Sequence, residues 1–263
     1  MTGPLTDRVA IVTGAGSGIG AATAARFAKA GAVVVCADID PTAAKEVATR
    51  LGSAGAAAEA ATVDVSLGAD VEAMVQAVRA RHGRIDVLVN NAGVGSSGAA
   101  VDVDEDEWNR VLAVNLTAVW RCSRAVLPVM AGAGSGSIVN LASITALHGY
   151  PRMAAYSAAK GGVIALTRQM AADAATHGVR VNAVVPGTVH TPLTQTLWDD
   201  GGGFGGTASS VEEQVAAAGA GYPLGRLGTP DEPAALIAFL AGADSRWITG
   251  QVYVVDGGRT AVG

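Results

Sequence analysis

The chain has 263 residues, half of them hydrophobic and only 16% charged, and its net charge at pH 7 is −5. This length suits one large α/β domain or two small ones, and a charged fraction below the usual value of roughly 25% suggests surface that is buried between subunits. We find no basic cluster, no signal-like apolar segment and no apolar run of about 20 residues, which argues against nucleic-acid-binding, secreted and membrane-spanning proteins and favours a cytoplasmic one.

Short apolar, β-branched runs alternate with Ala-rich helical stretches along the chain. The predicted strands are 8–13, 32–38, 60–65, 85–90, 137–143, 179–186 and 251–256, and the predicted helices lie near 18–30, 41–52, 67–82, 104–131, 153–177 and 231–242. Several strands are apolar at successive positions, as expected of strands covered on both faces. We therefore predict an α/β fold: a Rossmann-type, doubly wound parallel sheet of seven strands in a single domain, 1–263.

One segment, 191–228, breaks this alternation just before the seventh strand. It contains DDGGGFGG at 199–206, and SVEE at 210–213 is typical of a capping box that opens a short helix. A long glycine-punctuated insertion in a compact domain is usually functional or disordered. We interpret it as a substrate lid. Its large apolar residues, which favour an apolar alcohol as substrate, are Leu193, Leu197, Trp198 and Phe204.

The stretch VTGAGSGIG at 12–20 follows the first strand and opens the first helix. Gly14, Gly18 and Gly20 let the backbone turn sharply, approach a pyrophosphate closely and pack the helix against the strand. The helix N-terminus then offers free N–H groups to the phosphates. A glycine motif alone is a weak signal, but its position between a strand and a helix predicts a dinucleotide site.

Asp38 ends the second predicted strand, 24 positions after Gly14. Its carboxylate can accept hydrogen bonds from both adenosine ribose hydroxyls, and it would repel a 2′-phosphate. Neither the glycine loop nor the residues just after Asp38 include an Arg or Lys, and Asp40, followed by Pro41, already suits the cap of the next helix. The sequence therefore predicts NAD, and not NADP, as the cofactor.

The stretch YSAAK places Tyr156 and Lys160 four residues apart, so on a helix their Cβ atoms would be about 5–6 Å apart. A free tyrosine has a pKa near 10, and a base for pH 7–8 needs that pKa lowered by roughly 3–4 kcal/mol. One positive charge about 4 Å away contributes about 4 kcal/mol at an effective dielectric near 20, but desolvation opposes it. The charge of Lys160 alone is therefore barely sufficient to lower the Tyr156 pKa to this range. The positive charge of oxidised nicotinamide would lower that pKa further.

Two further polar residues suit the same chemistry. Ser143, at the end of the fifth predicted strand, should lie close to Tyr156, where its hydroxyl can hold a substrate oxygen as charge develops. Asn115 lies in LAVNLTA, in the middle of a predicted helix, where asparagine is a poor choice on propensity alone. Together these residues indicate removal of a hydroxyl proton while the carbinol carbon releases a hydride.

The glycine spacing TGxxxGxG, together with NNAG at 90–93, PGTVHTP at 186–192 and YSAAK, resembles the single-domain short-chain dehydrogenase/reductase family over essentially the whole chain. The resemblance implies that Asp64 and Val65 contact adenine and that the residues after the PG turn, Thr188 among them, hold the nicotinamide carboxamide. The cofactor-binding residues it implies are Gly14, Ser17, Gly18, Ile19, Gly20, Asp38, Asp64, Val65, Asn91, Ala92, Gly93, Tyr156, Lys160, Pro186, Gly187, Val189 and Thr191.

The resemblance also implies a role for each polar residue of the site. Tyr156 corresponds to the acid/base and Ser143 to the partner of the substrate oxygen. Lys160 corresponds to the lysine that binds the nicotinamide ribose and lowers the tyrosine pKa, and Asn115 to the residue that positions a water in a proton relay. It further implies a homotetramer assembled through helices 104–131 and 153–177 and the C-terminal strand region. The four histidines show no ligand spacing, so no metal is expected.

We predict NAD-dependent interconversion of a small secondary alcohol and a ketone. The nearest alternative is a 3-oxoacyl-[acyl-carrier-protein] reductase, against which Asp38 and the lack of a basic patch for an acidic carrier argue. A nucleotide-binding regulator is disfavoured because the catalytic set is intact, and a sugar-nucleotide epimerase because its glycine spacing usually differs. Additional residues expected at the substrate pocket are Val94, Gly95, Ile144 and Tyr150.

Overall fold

The computed structural model describes residues 3–199 and 210–262, in which seven strands form one parallel sheet. The strands are β1 (Val9–Thr13), β2 (Val33–Asp38), β3 (Ala58–Thr62), β4 (Val87–Asn90), β5 (Gly136–Leu141), β6 (Val179–Pro186) and β7 (Val252–Val255). Their spatial order is β3-β2-β1-β4-β5-β6-β7, and every pairing is parallel. This confirms the predicted doubly wound sheet. The strand order reverses between β1 and β4, which is where ligands of such sheets bind.

Helices cover both faces of the sheet. They are α1 (Gly18–Lys29), α2 (Pro41–Ser53), α3 (Gly68–His82), α4 (Glu105–Leu112), α5 (Ala118–Gly132), α6 (Ala154–Ala174), α7 (Pro192–Asp199), α8 (Val211–Gly219) and α9 (Asp231–Ala241). Ile11 of β1 packs in a core with α3, α5 and α6, whereas its neighbour Val12 packs on the other face with α1, α2 and α9. Because successive residues of the central strands are buried on opposite faces, strands such as β1 are apolar at successive positions and do not alternate.

The third strand lies earlier in the sequence than predicted. It covers Ala58–Thr62 instead of 60–65, and its pairing with β2 ends where Thr62 meets Asp38. Val63 still donates its N–H to the Asp38 carbonyl, 2.9 Å away, but the chain then leaves the sheet. Asp64 and Val65 therefore lie in the connection after the strand and not at its end.

The predicted helix 104–131 is interrupted. Helix α4 ends at Leu112, Ala113–Thr117 form a π-helical turn, and α5 begins at Ala118. Asn115 lies within this turn and is fully buried. π-helical turns inside α-helices occur mostly at functional sites. The low helix propensity of asparagine was the signal in the sequence for this irregularity.

The insertion before β7 contributes two helices, α7 and α8, to the described part of the chain. Ser210 caps α8 by accepting a hydrogen bond from the Glu213 N–H at 3.2 Å, as the SVEE motif predicts. A parallel bridge between Val189 and Gly228 joins the two ends of the insertion. Most of the glycine-rich stretch 199–206, with Phe204, lies outside the described residues.

Asp40 caps α2, as the sequence predicts. Its Oδ1 accepts hydrogen bonds from Thr42 N at 2.8 Å and Ala43 N at 3.2 Å. We expect Asp40→Ala to lower the free energy of unfolding by about 1 kcal/mol, measured by urea denaturation, because two backbone donors lose their acceptor. Asp40→Asn keeps an acceptor and should lose less than half as much. Equal losses in the two variants would show that the cap does not carry the effect.

Cys36 and Cys122 are both free and buried, as expected from the sequence. Burial raises the pKa of the Cys36 thiol to about 11 and that of the Cys122 thiol to about 12, so neither is a thiolate near neutral pH. Within residues 3–199 and 210–262, every helix is too short or too polar to span a membrane.

Candidate active site

A cleft of about 630 Å³ opens at the carboxyl ends of the strands. One end lies beside Asp38 at the end of β2, and the other beside Trp198 on α7. The walls between them come from the segments that follow β1, β4, β5 and β6. The fold therefore gathers into one cavity residues that are far apart in the sequence.

All predicted catalytic and cofactor-binding residues line this cleft except Gly20 and Asn115, which are buried behind its wall. Of the four additional pocket residues expected from the sequence, Gly95 does not line the cleft, because the Leu197 side chain lies where a Gly95 Cβ would be, with its Cδ2 only 2.7 Å from that position. Lining residues that the sequence analysis missed are Ile39, Val63, Val114, Leu141, Ala142, Thr145, Pro151, Arg152, Met153 and Thr194. Most of them adjoin a predicted site residue in the chain.

The glycine turn between β1 and α1 fits a dinucleotide. Gly14 has φ +65°, and a Cβ on Gly20 would lie 2.0 Å from the Gly14 carbonyl oxygen, so the helix can pack this closely only on glycine. Ser17 is extended at the N-terminus of α1, and its side chain does not cap the helix. The first N–H groups of α1 are thus not used by that side chain and suit a phosphate.

Asp38 is tied to this turn. Its Oδ2 accepts a hydrogen bond from Gly16 N at 2.8 Å, and its Oδ1 accepts one from Asp40 N at 3.0 Å. A Cβ on Gly16 would lie 2.9 Å from Asp38 Oδ2, so only glycine leaves room for this contact. The carboxylate is therefore fixed at the end of β2, where it lines the cleft beside the turn.

Asn91, from the NNAG motif, fastens the end of β4 to the glycine turn. Its Nδ2 donates to the carbonyl oxygens of Thr13 at 2.9 Å and Gly14 at 3.1 Å. The preceding residue, Asn90, donates to Asn140 Oδ1 of β5 at 2.8 Å, and Asn140 Nδ2 donates to Thr167 of α6 at 2.9 Å. These buried hydrogen bonds fix α6 relative to the strands and thereby position the residues that α6 presents to the cleft.

Tyr156, Lys160 and Ser143 meet in the middle of the cleft. The Ser143 hydroxyl interacts with the Tyr156 phenol and lowers the pKa of that phenol. The Lys160 Nζ lies 5.6 Å from the centre of the Tyr156 ring and donates to the Leu141 carbonyl at 2.8 Å. The sequence predictions that place these three side chains together agree with this geometry.

Burial dominates the protonation of both α6 residues. Desolvation raises the pKa of Tyr156 to about 12, against the lowering effect of the Ser143 hydrogen bond. Desolvation also lowers the pKa of Lys160 to about 8. The chain's own groups therefore move the Tyr156 pKa away from neutrality, opposite to the direction that a base needs. Additional positive charge at the site must therefore lower the Tyr156 pKa to the range in which a base acts near neutral pH.

Asn115 does not reach the cleft with its side chain. Its Oδ1 accepts from Val94 N at 3.2 Å, and its Nδ2 donates to Val94 O at 2.9 Å, so both polar atoms of the amide are engaged. A Cβ on Gly93 would lie 2.7 Å from Asn115 Oδ1 and 3.8 Å from Lys160 Nζ. Through this side chain, Asn115 holds the segment after β4 next to Lys160.

The wall opposite the glycine turn comes from α7 and its supports. Trp198 lines the cleft and packs with Tyr222 and Leu227, which follow α8. The Tyr222 hydroxyl donates to Thr188 Oγ1 at 2.6 Å and accepts from Thr188 N at 2.8 Å. The insertion is thus bonded to the residue that follows the PG turn.

Among the described residues, four charged side chains line the cleft: Asp38, Asp64, Lys160 and Arg152. The two carboxylates lie by β2 and β3, Lys160 lies beside Tyr156, and Arg152 lies just before α6. No group of three or more His, Cys, Asp or Glu residues suited to a metal ion occurs in the parts of the chain that the structure describes.

Comparisons with known proteins cover nearly the whole chain. The family model described as enoyl-(acyl carrier protein) reductase matches residues 14–260. The chain is 41% identical to 2-(S)-hydroxypropyl-CoM dehydrogenase 3 of Xanthobacter autotrophicus over 100% of both chains. It is 42% identical to cis-4-hydroxycyclohexanecarboxylate dehydrogenase of Sinomonas cyclohexanicum over 97% of this chain and 98% of that protein.

A solved structure has the same fold. It is that of a Beutenbergia cavernae protein provisionally assigned as an NAD(P)-dependent gluconate 5-dehydrogenase, with NADP bound at low occupancy. The identity is 39% and the TM-score 0.88, over 98% of each chain.

Proposed function

Since this chain belongs to the short-chain dehydrogenase/reductase family, whose members are oxidoreductases that use nicotinamide cofactors, we propose that it interconverts a secondary alcohol and a ketone with NAD. The observation that carries the proposal is the meeting of Ser143, Tyr156 and Lys160 in a cleft that the glycine turn also lines. We place this reaction in the cytoplasm.

In the oxidative direction, the Tyr156 phenolate accepts the hydroxyl proton of the alcohol, and the Ser143 hydroxyl holds the substrate oxygen. Bound NAD would accept the hydride that leaves the carbinol carbon. Lys160 keeps a positive charge near the phenol, and Asn115 positions the backbone after β4 beside it. In the reductive direction, Tyr156 returns its proton to the ketone oxygen.

The magnitudes require more than one positive charge. A unit charge about 5–6 Å away contributes about 3 kcal/mol at an effective dielectric near 20, which corresponds to about 2 pKa units. Lys160 alone would therefore offset only the effect of burial, which raises the Tyr156 pKa to about 12. The charge of oxidised nicotinamide is the further contribution that the oxidative direction needs.

Asp38 supports NAD as the preferred cofactor. Its carboxylate lines the cleft beside the glycine turn, and a 2′-phosphate placed there would meet a negative charge. We expect Asp38→Asn to reduce the preference for NAD over NADP, measured as the ratio of kcat/KM values, by about 10- to 100-fold, since it removes a repulsion of about 1.5–3 kcal/mol. Asparagine still offers an oxygen to Gly16 N, so the turn should be retained. An unchanged ratio would mean that Asp38 does not select the cofactor.

Two features of the assembly belong to this proposal. We propose that the segment 191–228 is a substrate lid, since Leu193, Leu197 and Trp198 line the cleft. We also propose a homotetramer built through α4–α5, α6 and the β7 region, where Trp120 and Trp247 are exposed, the latter by 97%. Sedimentation equilibrium tests the tetramer, and a monomer at micromolar concentration would contradict it.

A 3-oxoacyl-[acyl-carrier-protein] reductase is the second candidate, because the chain is 37% identical to such an enzyme of Thermotoga maritima over 97% of its length. One experiment separates the candidates: the protein is incubated with NAD or NADP and a panel of secondary alcohols, sugars, steroids and hydroxyacyl thioesters, and reduced cofactor is followed optically. NAD-dependent turnover of a free alcohol supports our proposal. NADP-preferring turnover of the thioester favours the reductase, and tight cofactor binding without any turnover favours the regulator.

A further inference from the structure

Among the described residues that line the cleft, Arg152 is the one charged residue at the substrate end. Asp38 and Asp64 lie by β2 and β3, and the Lys160 ammonium is buried beside Tyr156. The described residues that line this end are mostly apolar or aromatic: Val94, Ile144, Tyr150, Met153, Leu193, Leu197 and Trp198, together with Thr145 and Thr194. A charge in a mostly apolar pocket is the kind of group that fixes the orientation of a ligand.

The backbone holds Arg152 in a conformation that its side chain does not favour. Its φ is +58°, in the left-handed region that glycine and asparagine occupy more easily. The Gly98 N–H donates to the Arg152 carbonyl at 2.8 Å, and a parallel bridge pairs Gly98 with Met153. Neighbouring contacts thus fix this residue, in a way that is common at ligand-binding sites.

The guanidinium of Arg152 is available to a ligand. Its nearest carboxylate is Asp102, with 3.6 Å between Arg152 Nη1 and Asp102 Oδ2, and both side chains are 55% exposed. This distance is longer than a hydrogen bond, and exposed ion pairs of this kind contribute little to the free energy of folding. Within the described ranges of the chain, no hydrogen bond from the Arg152 side chain is observed. Its N–H groups can therefore form the forked pair that a carboxylate or sulfonate accepts.

We propose that Arg152 binds an anionic group of the substrate, so that the enzyme acts on hydroxy acids whose carboxylate or sulfonate is separated from the reacting carbinol. This rests on the proposed function and specifies its substrate class. Arg152 lies four residues before Tyr156, at the start of the helix that carries it. A ligand whose anionic group binds Arg152 would lie along the apolar residues of the pocket. Its hydroxyl would then be next to Ser143 and Tyr156. Arg152 thus selects the substrate and does not take part in the proton transfer.

The test compares substrates that differ only in charge. The probes are 4-hydroxycyclohexanecarboxylate and its carboxamide, and 3-hydroxybutyrate and its amide, with NAD. We expect the parent protein to favour the acid of at least one pair by 10- to 100-fold in kcat/KM, chiefly through KM. In Arg152→Gln this ratio should fall to about 1, and Arg152→Lys should recover part of it. Arg168→Gln, an exposed arginine of α6 outside the cleft, is the matched control and should keep the ratio.

The outcomes separate this inference from the proposed function. Equal turnover of acid and amide by the parent, or an acid preference that survives in Arg152→Gln, would overturn the inference and leave the alcohol dehydrogenase intact. If no probe reacts, calorimetric titration with cyclohexanecarboxylate tests whether Arg152 binds an anionic group. Binding that Arg152→Gln weakens at least 10-fold and Arg168→Gln does not would support the anion site. Binding that is absent, or equal in both variants, would overturn it.

Discussion

Replacing Tyr156 with Phe should lower kcat by about 10²- to 10⁴-fold, the usual contribution of general acid–base catalysis. The substitution removes only the hydroxyl, and the partly buried ring keeps its packing against the cluster of Val111, Ala155 and Ala159, so the fold should be retained. The affinity for NAD, measured by calorimetry, should change by no more than a few-fold, because the glycine turn and Asp38 are untouched. The loss should therefore appear in kcat and not in cofactor binding.

A matched control is available in Tyr253 of β7, which packs in the core on the α1 and α9 face of the sheet and does not line the cleft. Tyr253→Phe removes the same atom from a site away from the cleft and should keep full activity. If Tyr156→Phe turned over at the rate of Tyr253→Phe, the phenol could not be the proton acceptor, and the interpretation of the chain as a nucleotide-binding regulator would regain support.

Lys160→Met should lower kcat by at least about 100-fold and yet make the cofactor-free protein more stable at pH 7. The charged ammonium is fully enclosed, and burial lowers the Lys160 pKa from 10.5 to about 8. Below pH 8 the folded protein thus carries a charge in a poorly solvated place, which destabilises it by up to about 3 kcal/mol. Methionine removes this penalty but loses the hydrogen bond to the Leu141 carbonyl, worth about 1 kcal/mol. We expect a net gain of about 1–2 kcal/mol in the free energy of unfolding.

The sign of the pH dependence follows from the same shift. Between pH 8 and 10.5 the unfolded chain binds the proton of Lys160 more tightly than the folded chain, so the stability of the parent protein rises with pH in this window. The difference in stability between Lys160→Met and the parent should therefore shift by about 2–3 kcal/mol toward the parent from pH 7 to pH 10, where the parent should be at least as stable as the variant. Urea denaturation of both proteins measures this difference in the free energy of unfolding. The buried cysteines and Tyr156 contribute to the pH dependence of both proteins, and their contributions cancel in the difference. A variant less stable than its parent at pH 7 would contradict the assignment.

Local sequence patterns were sufficient for the sheet and for most of the site. The glycine turn is encoded by consecutive residues, because Gly14 and Gly20 must approach each other within one loop. Tyr156 and Lys160 could be placed together since they lie one helical turn apart. The strands were recognisable because residues such as Ile11 and Val12 are buried on opposite faces.

Features that depend on packing between distant segments were harder to predict from the sequence. The π-helical turn around Asn115 is stabilised by hydrogen bonds to Val94, 21 positions away, which no helix pattern reveals. The raised pKa of Tyr156 follows from desolvation in the folded protein, whereas the sequence alone shows only the nearby charge of Lys160, which lowers that pKa. Arg152 lines the cleft, and its carbonyl accepts a hydrogen bond from the N–H of Gly98, a pairing between distant segments that no local pattern reveals.

The paired ends of the insertion have a practical consequence. Thr188 and His190 exchange backbone hydrogen bonds with Gly228, at 3.0 and 3.1 Å, so the segment between them leaves and rejoins the domain at one point. Loops with adjoining ends tolerate changes of length and sequence at a small entropic penalty. Residues 192–227, which leave the predicted cofactor contact Thr191 in place, could accordingly be exchanged as one unit for the equivalent segment of another dehydrogenase. Substrate range in this scaffold should be transferable by grafting, with the catalytic machinery left in place.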